Sequence, residues 1–189
     1  MEFVHKSEVA DLFSVSGYEE VADGADRMYL RMPDEDAVHL HFCDSGCTEA
    51  PRNGATVLPT RADELPDIID QVVHRLNLHE IVLFPVGKWR HVFDAVAFSL
   101  AANEAWQEVD ASATVELNTR DPLLCGPADF ALVVELIRAL FKDAEGPNQG
   151  LILTAAGVPV IAEVVPSGAL RLSVGNRALA DEVMEFVRS

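Results

Sequence analysis

The chain has 189 residues, of which 49% are hydrophobic, with a mean hydropathy of +0.14; this is ample apolar material for a packed core, and the length favours one domain. Lys and Arg number 14 against 31 Asp and Glu, a net charge of −17, with residues 1–50 carrying −9 and the rest spread over the remaining chain. That balance excludes a disordered tail, a disulfide-rich miniprotein and a general nucleic-acid binder, and it repels an anionic membrane surface.

Residues 5–14 read as a short helix capped by Ser7. Arg27–Met32 then alternates, with Met28, Leu30 and Met32 on one face, and Val38–Cys43 alternates too, with Val38, Leu40 and Phe42 against His39, His41 and Cys43. Pro33-Asp-Glu-Asp between them is a turn signal. Matching Met32 to Val38 keeps apolar with apolar, so the expectation is a hairpin that sets Arg31 beside His39 and Arg27 beside Cys43. A loop, Asp44–Asn53, leads to a short strand at Ala55–Leu58. Thr60, with Asp63 three residues on, is expected to cap a helix whose apolar stripe is Leu65, Ile68, Ile69, Val72, Val73 and Leu76.

Glu80–Pro85 reads as a buried strand and Val92–Ala102 as an apolar helix covered on most sides. Ala113–Leu117 reads as a strand, and Pro127 opens a second apolar helix running to about Phe141. Leu151–Thr154, Val158–Val165 and Leu170–Val174 form a three-strand meander, and Asn176 caps a last helix with Leu179, Val183, Phe186 and Val187 inward. A weak echo, Ala55-Thr-Val and Ala113-Thr-Val, hints at two similar lobes meeting near residues 104–112; chance is the simpler account. The expected class is α+β: a mostly antiparallel sheet packed by about four helices in a single domain, 1–189. The alternative is α/β with a partly parallel central sheet, because strand and helix alternate in the middle.

Three places carry candidate chemistry. His39, His41, Cys43 and Cys47 are the donor set of a tetrahedral zinc site, and period-two spacing points the first three the same way. The expected hairpin sets two arginines beside them, which disfavours a cation, and the bland account is a polar strand face; no cofactor is therefore expected, with zinc the alternative. Lys88 and Arg90 stand at a strand-to-helix junction, and Arg120 leaves another strand; together they would bind a phosphate or carboxylate. Structural pairing of Arg90 with Asp94 four residues on competes with that. Cys125 precedes a helix, where a thiol can become a nucleophile, but Leu123 and Leu124 beside it point to burial. Glu135 and Glu163 read as solvated edges.

Two functions are therefore carried forward. The first is a non-enzymatic binding or assembly module forming a homodimer, argued from the all-round hydrophobicity of the helix from Pro127 to Phe141, with a protein as partner. The second is a protein or enzyme that takes a small anionic ligand through Lys88, Arg90 and Arg120. Three cysteines, an N-terminus without a basic stretch followed by an apolar run, and the absence of any apolar stretch of ~18 residues make a reducing cytoplasm the expected location, with neither nucleic acid nor membrane as partner.

Overall fold

A computed structural model describes residues 1–11, 13, 17–23, 26–32 and 35–187. Its main body is an eight-stranded sheet: β1 (Glu2–Phe3), β4 (Val38–Cys43), β5 (Thr56–Pro59), β6 (Ile81–Pro85), β7 (Leu123–Cys125), β8 (Leu151–Ala155), β9 (Val160–Val165) and β10 (Ala169–Val174), in the order β1-β7-β6-β8-β9-β10-β4-β5. Every neighbouring pair is antiparallel except β4–β5. The strands β2 (Glu19–Asp23) and β3 (Arg27–Arg31) form a separate two-stranded sheet. Among the described residues the main helices are α1 (Leu65–Arg75), α2 (Trp89–Val96), α3 (Glu104–Ser112), α4 (Phe130–Asp143) and α5 (Arg177–Val187). The architecture is thus α+β with a mostly antiparallel sheet. No helix among the described residues is long and apolar enough to cross a membrane.

The sheet has two differently covered faces because strand side chains alternate. Leu40, Phe42, Leu83, Leu153, Ala162, Val164, Leu170 and Leu172 point into one large core shared with the helices. All six stripe residues of α1 are buried there, as the spacing requires. Val82, Phe84, Val86, Ile152 and Ile161 point the other way and meet Met28, Leu30 and Met32 of the small sheet together with Val9 and Tyr18. The Tyr18 hydroxyl accepts the Val160 N–H at 3.0 Å, which ties this second layer to the meander. The meander itself follows the sequence reading, with Gly157 and Gly168 at positive φ in its two turns. Asn176 Oδ1 accepts the Leu179 N–H at 3.0 Å and so caps α5.

Several expectations are corrected. β3 does not pair with β4. It pairs with β2, matching Glu19 to Arg31 and Asp23 to Arg27, while β4 lies between β10 and β5. The faces of both strands are as read; the partner is not, because β10 offers β4 an equally apolar row, Leu170, Leu172 and Val174, which chain proximity does not reveal. Pro33 and Asp34 of the expected turn lie outside the described residues, as do parts of the helix expected at 5–14, where a 3-10 turn at Lys6–Val9 is capped by His5 rather than Ser7. Thr60 is not a cap either: its hydroxyl donates to the Leu58 carbonyl at 3.0 Å, and a 3-10 turn, Ala62–Glu64, precedes α1.

Ala113–Leu117 is not a strand but a bend leading into a 3-10 turn, Glu116–Asn118, with Val115 70% exposed. α3 occupies residues 104–112, and its Trp106 stacks on Phe93 at 4.6 Å within the common core. The helix expected at 92–102 ends at Val96, and Phe98 beyond it is 89% exposed rather than covered. α4 fits its expected span, and Leu132, Val133, Val134, Leu136, Ile137, Ala139 and Leu140 are buried within a single chain. Its hydrophobicity on most sides is met by α1, α2 and the sheet within the chain.

Candidate metal centre

β4 projects His39, His41 and Cys43 from the face opposite the helices. Directly after Cys43 the chain reverses. The Cys47 N–H donates to the Asp44 carbonyl at 3.0 Å, closing a turn that carries the Cys47 thiol back over the strand end. The result is a group of three donors: an imidazole nitrogen of His41 and the thiols of Cys43 and Cys47, all within 4.8 Å of one another. Both thiols are half-buried, whereas His41 is 1% exposed, and neither of its ring nitrogens has a hydrogen-bond partner among the described residues. An imidazole so buried ordinarily finds a partner, since a desolvated polar group without one costs about 1–3 kcal/mol. A bound cation removes that cost at one nitrogen.

His39, the fourth donor expected from sequence, is elsewhere. Its Nδ1 meets the Ser173 hydroxyl at 2.8 Å across the β4–β10 pair. The reason is reach: His39 and Cys43 are four residues apart on an extended strand, roughly 13 Å, too far for an imidazole and a thiol to share one ion. The two arginines expected to oppose a cation are engaged by carboxylates: Arg31 by Glu19 at 3.0 Å, and Arg27, which lies near Glu49, by Asp23 at 2.7 Å.

The charge that does face His41 is Arg171, its direct cross-strand partner on β10. Arg171 is neutralised by Glu163 at 2.8 Å and Glu49 at 3.1 Å, and Arg52 binds the other Glu163 oxygen at 2.7 Å. Glu163 is only 3% exposed, so this acidic residue is not the solvated edge the sequence suggested. Burial, then Arg171, pushes the His41 pKa below its ordinary value of 6.5 and keeps the ring in the neutral, metal-ligating form. Burial, then the neighbouring Cys47 thiol, pushes the Cys43 thiol up; a divalent cation between the two sulfurs reverses that penalty. Glu49, Arg52 and Arg171 were not singled out from sequence. Glu163 and Arg171 are each the single charged residue of an otherwise apolar strand, which is the one signal the sequence offers for that pair; Glu49 and Arg52 sit in a loop that carries none.

Little space adjoins this cluster. A cavity of about 30 Å³ between Arg27, Tyr29, Glu49, Glu163 and Arg171 has room for about one water molecule. Hollows of about 280 and 330 Å³ lie elsewhere, against α1 and α4, away from the clustered donors.

The three basic residues at the strand-to-helix corner occupy one region but are engaged internally. Arg120 donates through Nε to the Gly87 carbonyl at 2.6 Å and through Nη2 to both the carbonyl and the side chain of Asp26. The Arg120 guanidinium holds the exposed Asp26 carboxyl below its usual range. Arg90 turns to Asn118 Oδ1 at 3.3 Å rather than to Asp94, which is exposed, and Lys88 is the residue before α2. An acidic side chain from the chain itself thus stands where an anionic ligand would bind.

Cys125 is fully buried, and its thiol is pushed up to about 12, by burial first and then by Asp129. An unfolded thiol near 9.0 releases its proton before the folded one does, so the chain loses stability as the pH rises above 9.0. The expected loss at pH 10 is about 1.4 kcal/mol, absent from Cys125→Ala, and measurable by urea denaturation at pH 8 and 10. Equal pH dependence in both proteins would contradict it.

Compared with family models, with curated proteins and with solved structures, the chain matches none.

Proposed function

We propose that this protein is a binding module for a thiophilic divalent metal ion, with zinc the ion of choice, held by His41, Cys43 and Cys47. The observation that carries the reading is the His41 ring: buried, with neither nitrogen partnered, and within 4.8 Å of two thiols. Two sulfurs and one imidazole suit zinc in donor type, and three protein donors leave one coordination position for water or another exogenous donor. The absence of a roomy cavity beside the cluster favours holding the ion over processing a bound organic substrate. The ion also has a mechanical task. Loop residues 44–54 bury no apolar side chain, so the crossover from β4 to β5 is tied to the sheet by polar contacts, Glu49 and the Ala50 carbonyl on Arg171 and Arg52 on Glu163, to which the ion adds Cys47.

Elemental analysis of protein purified without chelator, followed by zinc titration, tests this. One ion per chain is expected, with Cys47→Ser weakening the affinity by more than about 100-fold, since loss of a direct ligand exceeds the loss of a supporting contact. His39→Ala is expected to keep full stoichiometry. Substoichiometric metal after titration at neutral pH, or an equal loss in His39→Ala and Cys47→Ser, would sink the proposal.

A further inference from the structure

The turn that brings Cys47 back over Cys43 places the two thiols within 4.8 Å with only Asp44, Ser45 and Gly46 between them. The Cys47 sulfur accepts the Glu49 N–H at 3.4 Å, a contact that fixes its position over the strand end. Both thiols are half-buried, so a small solute reaches them, whereas Cys125 is sealed in the core. The segment holding Cys47 is a loop with no apolar anchor, so the sulfurs close to bonding distance without disturbing the sheet.

We propose that Cys43 and Cys47 are a dithiol that a hydroperoxide converts to an intrachain disulfide, so that the site holds either a metal ion or a disulfide. The second half rests on the metal reading given above; the first does not. The chemistry balances within the pair. The Cys47 thiolate attacks the terminal peroxide oxygen: an S–O bond forms, the O–O bond breaks, and the other oxygen leaves as hydroxide (from hydrogen peroxide) or alkoxide (from an organic hydroperoxide), taking up a proton to become water or an alcohol. Cys43 then attacks the sulfenic sulfur. The S–S bond forms, the S–O bond breaks, and the second oxygen departs as water with the Cys43 proton. The two sulfurs together lose two electrons and the peroxide gains them. A metal ion occupying both thiolates blocks the first attack, and the disulfide removes two of the three metal donors.

The test exposes the reduced, metal-free full chain to hydrogen peroxide and follows free thiols and peptide masses, alongside a zinc-loaded sample. The expected result is loss of two thiols of three, a mass lower by two hydrogens, a linked Cys43–Cys47 peptide and an unmodified Cys125. Zinc is expected to slow the linkage by at least about 10-fold, and Cys47→Ser to abolish it. Sulfinic acid at either residue without linkage, or linkage between chains, overturns the disulfide. Equal rates with and without stoichiometric zinc overturn the exclusivity. Linkage in a protein that takes up no zinc leaves the disulfide standing and sinks the metal reading instead.

Discussion

Truncating Glu163 to alanine is expected to cost about 2–4 kcal/mol, among the largest effects of any polar substitution in the chain. The carboxylate is almost fully buried and receives two guanidinium groups, Arg171 at 2.8 Å and Arg52 at 2.7 Å. Removing it leaves two positive charges under the loop, one of which, Arg171, keeps Glu49 and the Ala50 carbonyl. The figure sits below the value for a fully sealed pair because Arg52 remains more than a quarter exposed, where water screens part of the charge. Glu163→Met combined with Arg171→Met is expected to recover much of the loss, since uncharged neighbours need no counter-charge. Chemical denaturation of the metal-free proteins decides it; a cost below about 1 kcal/mol for the single variant would show that the carboxylate is not the hub of the loop. The zinc affinity of Glu163→Ala is also expected to fall, because the crossover that carries Cys47 loses its anchor.

Trp89→Ala is expected to cost about 4–5 kcal/mol and to lower Tm by roughly 8–20 °C for a chain of this size. The side chain has no exposed surface, and its ring stands edge-on to Phe3 at 5.5 Å and to Phe93 at 6.1 Å. Its indole N–H donates to the Asp121 carbonyl at 2.7 Å, so the truncation leaves both a cavity and a buried acceptor without its donor. Trp89→Phe separates the two: it fills most of the space, lacks the N–H, and is expected to cost about 1–3 kcal/mol. Thermal and urea unfolding measure both. A Phe variant as damaged as the Ala variant would assign the effect to the hydrogen bond rather than to packing.

Periodicity made the interior legible. The α1 stripe, the α4 span, the three-strand meander and the inward faces of β3 and β4 all follow from apolar spacing, which reports what each segment turns toward the core. Spacing does not report the partner. The row Met28-Leu30-Met32 fits Leu40 and Phe42 as well as it fits the sheet layer it covers, and only the competing row on β10 decides the matter. The short β7 and the helix α3 escaped for a related reason: three residues carry no period, and Glu104–Ser112 is held by one Asn103 cap and the burial of Trp106 and Val109.

The candidate site divides in the same way. The amino-acid sequence by itself determined that His41 and Cys43 share one side of a strand and that Cys47 lies a turn away, because alternation and chain length are local properties. Tertiary structure decided that His39 is bound to Ser173, that Arg171 rather than Arg27 or Arg31 faces the cluster, and that Glu163 is buried between two arginines. Most of those relations join residues more than 100 positions apart on β4, β9, β10 and the crossover loop, His39 with Ser173, His41 with Arg171 and Arg52 with Glu163; only Glu163 and Arg171 are close in the chain. Cross-strand neighbours are chosen by the energy of the whole sheet, and no short window of sequence contains that sum.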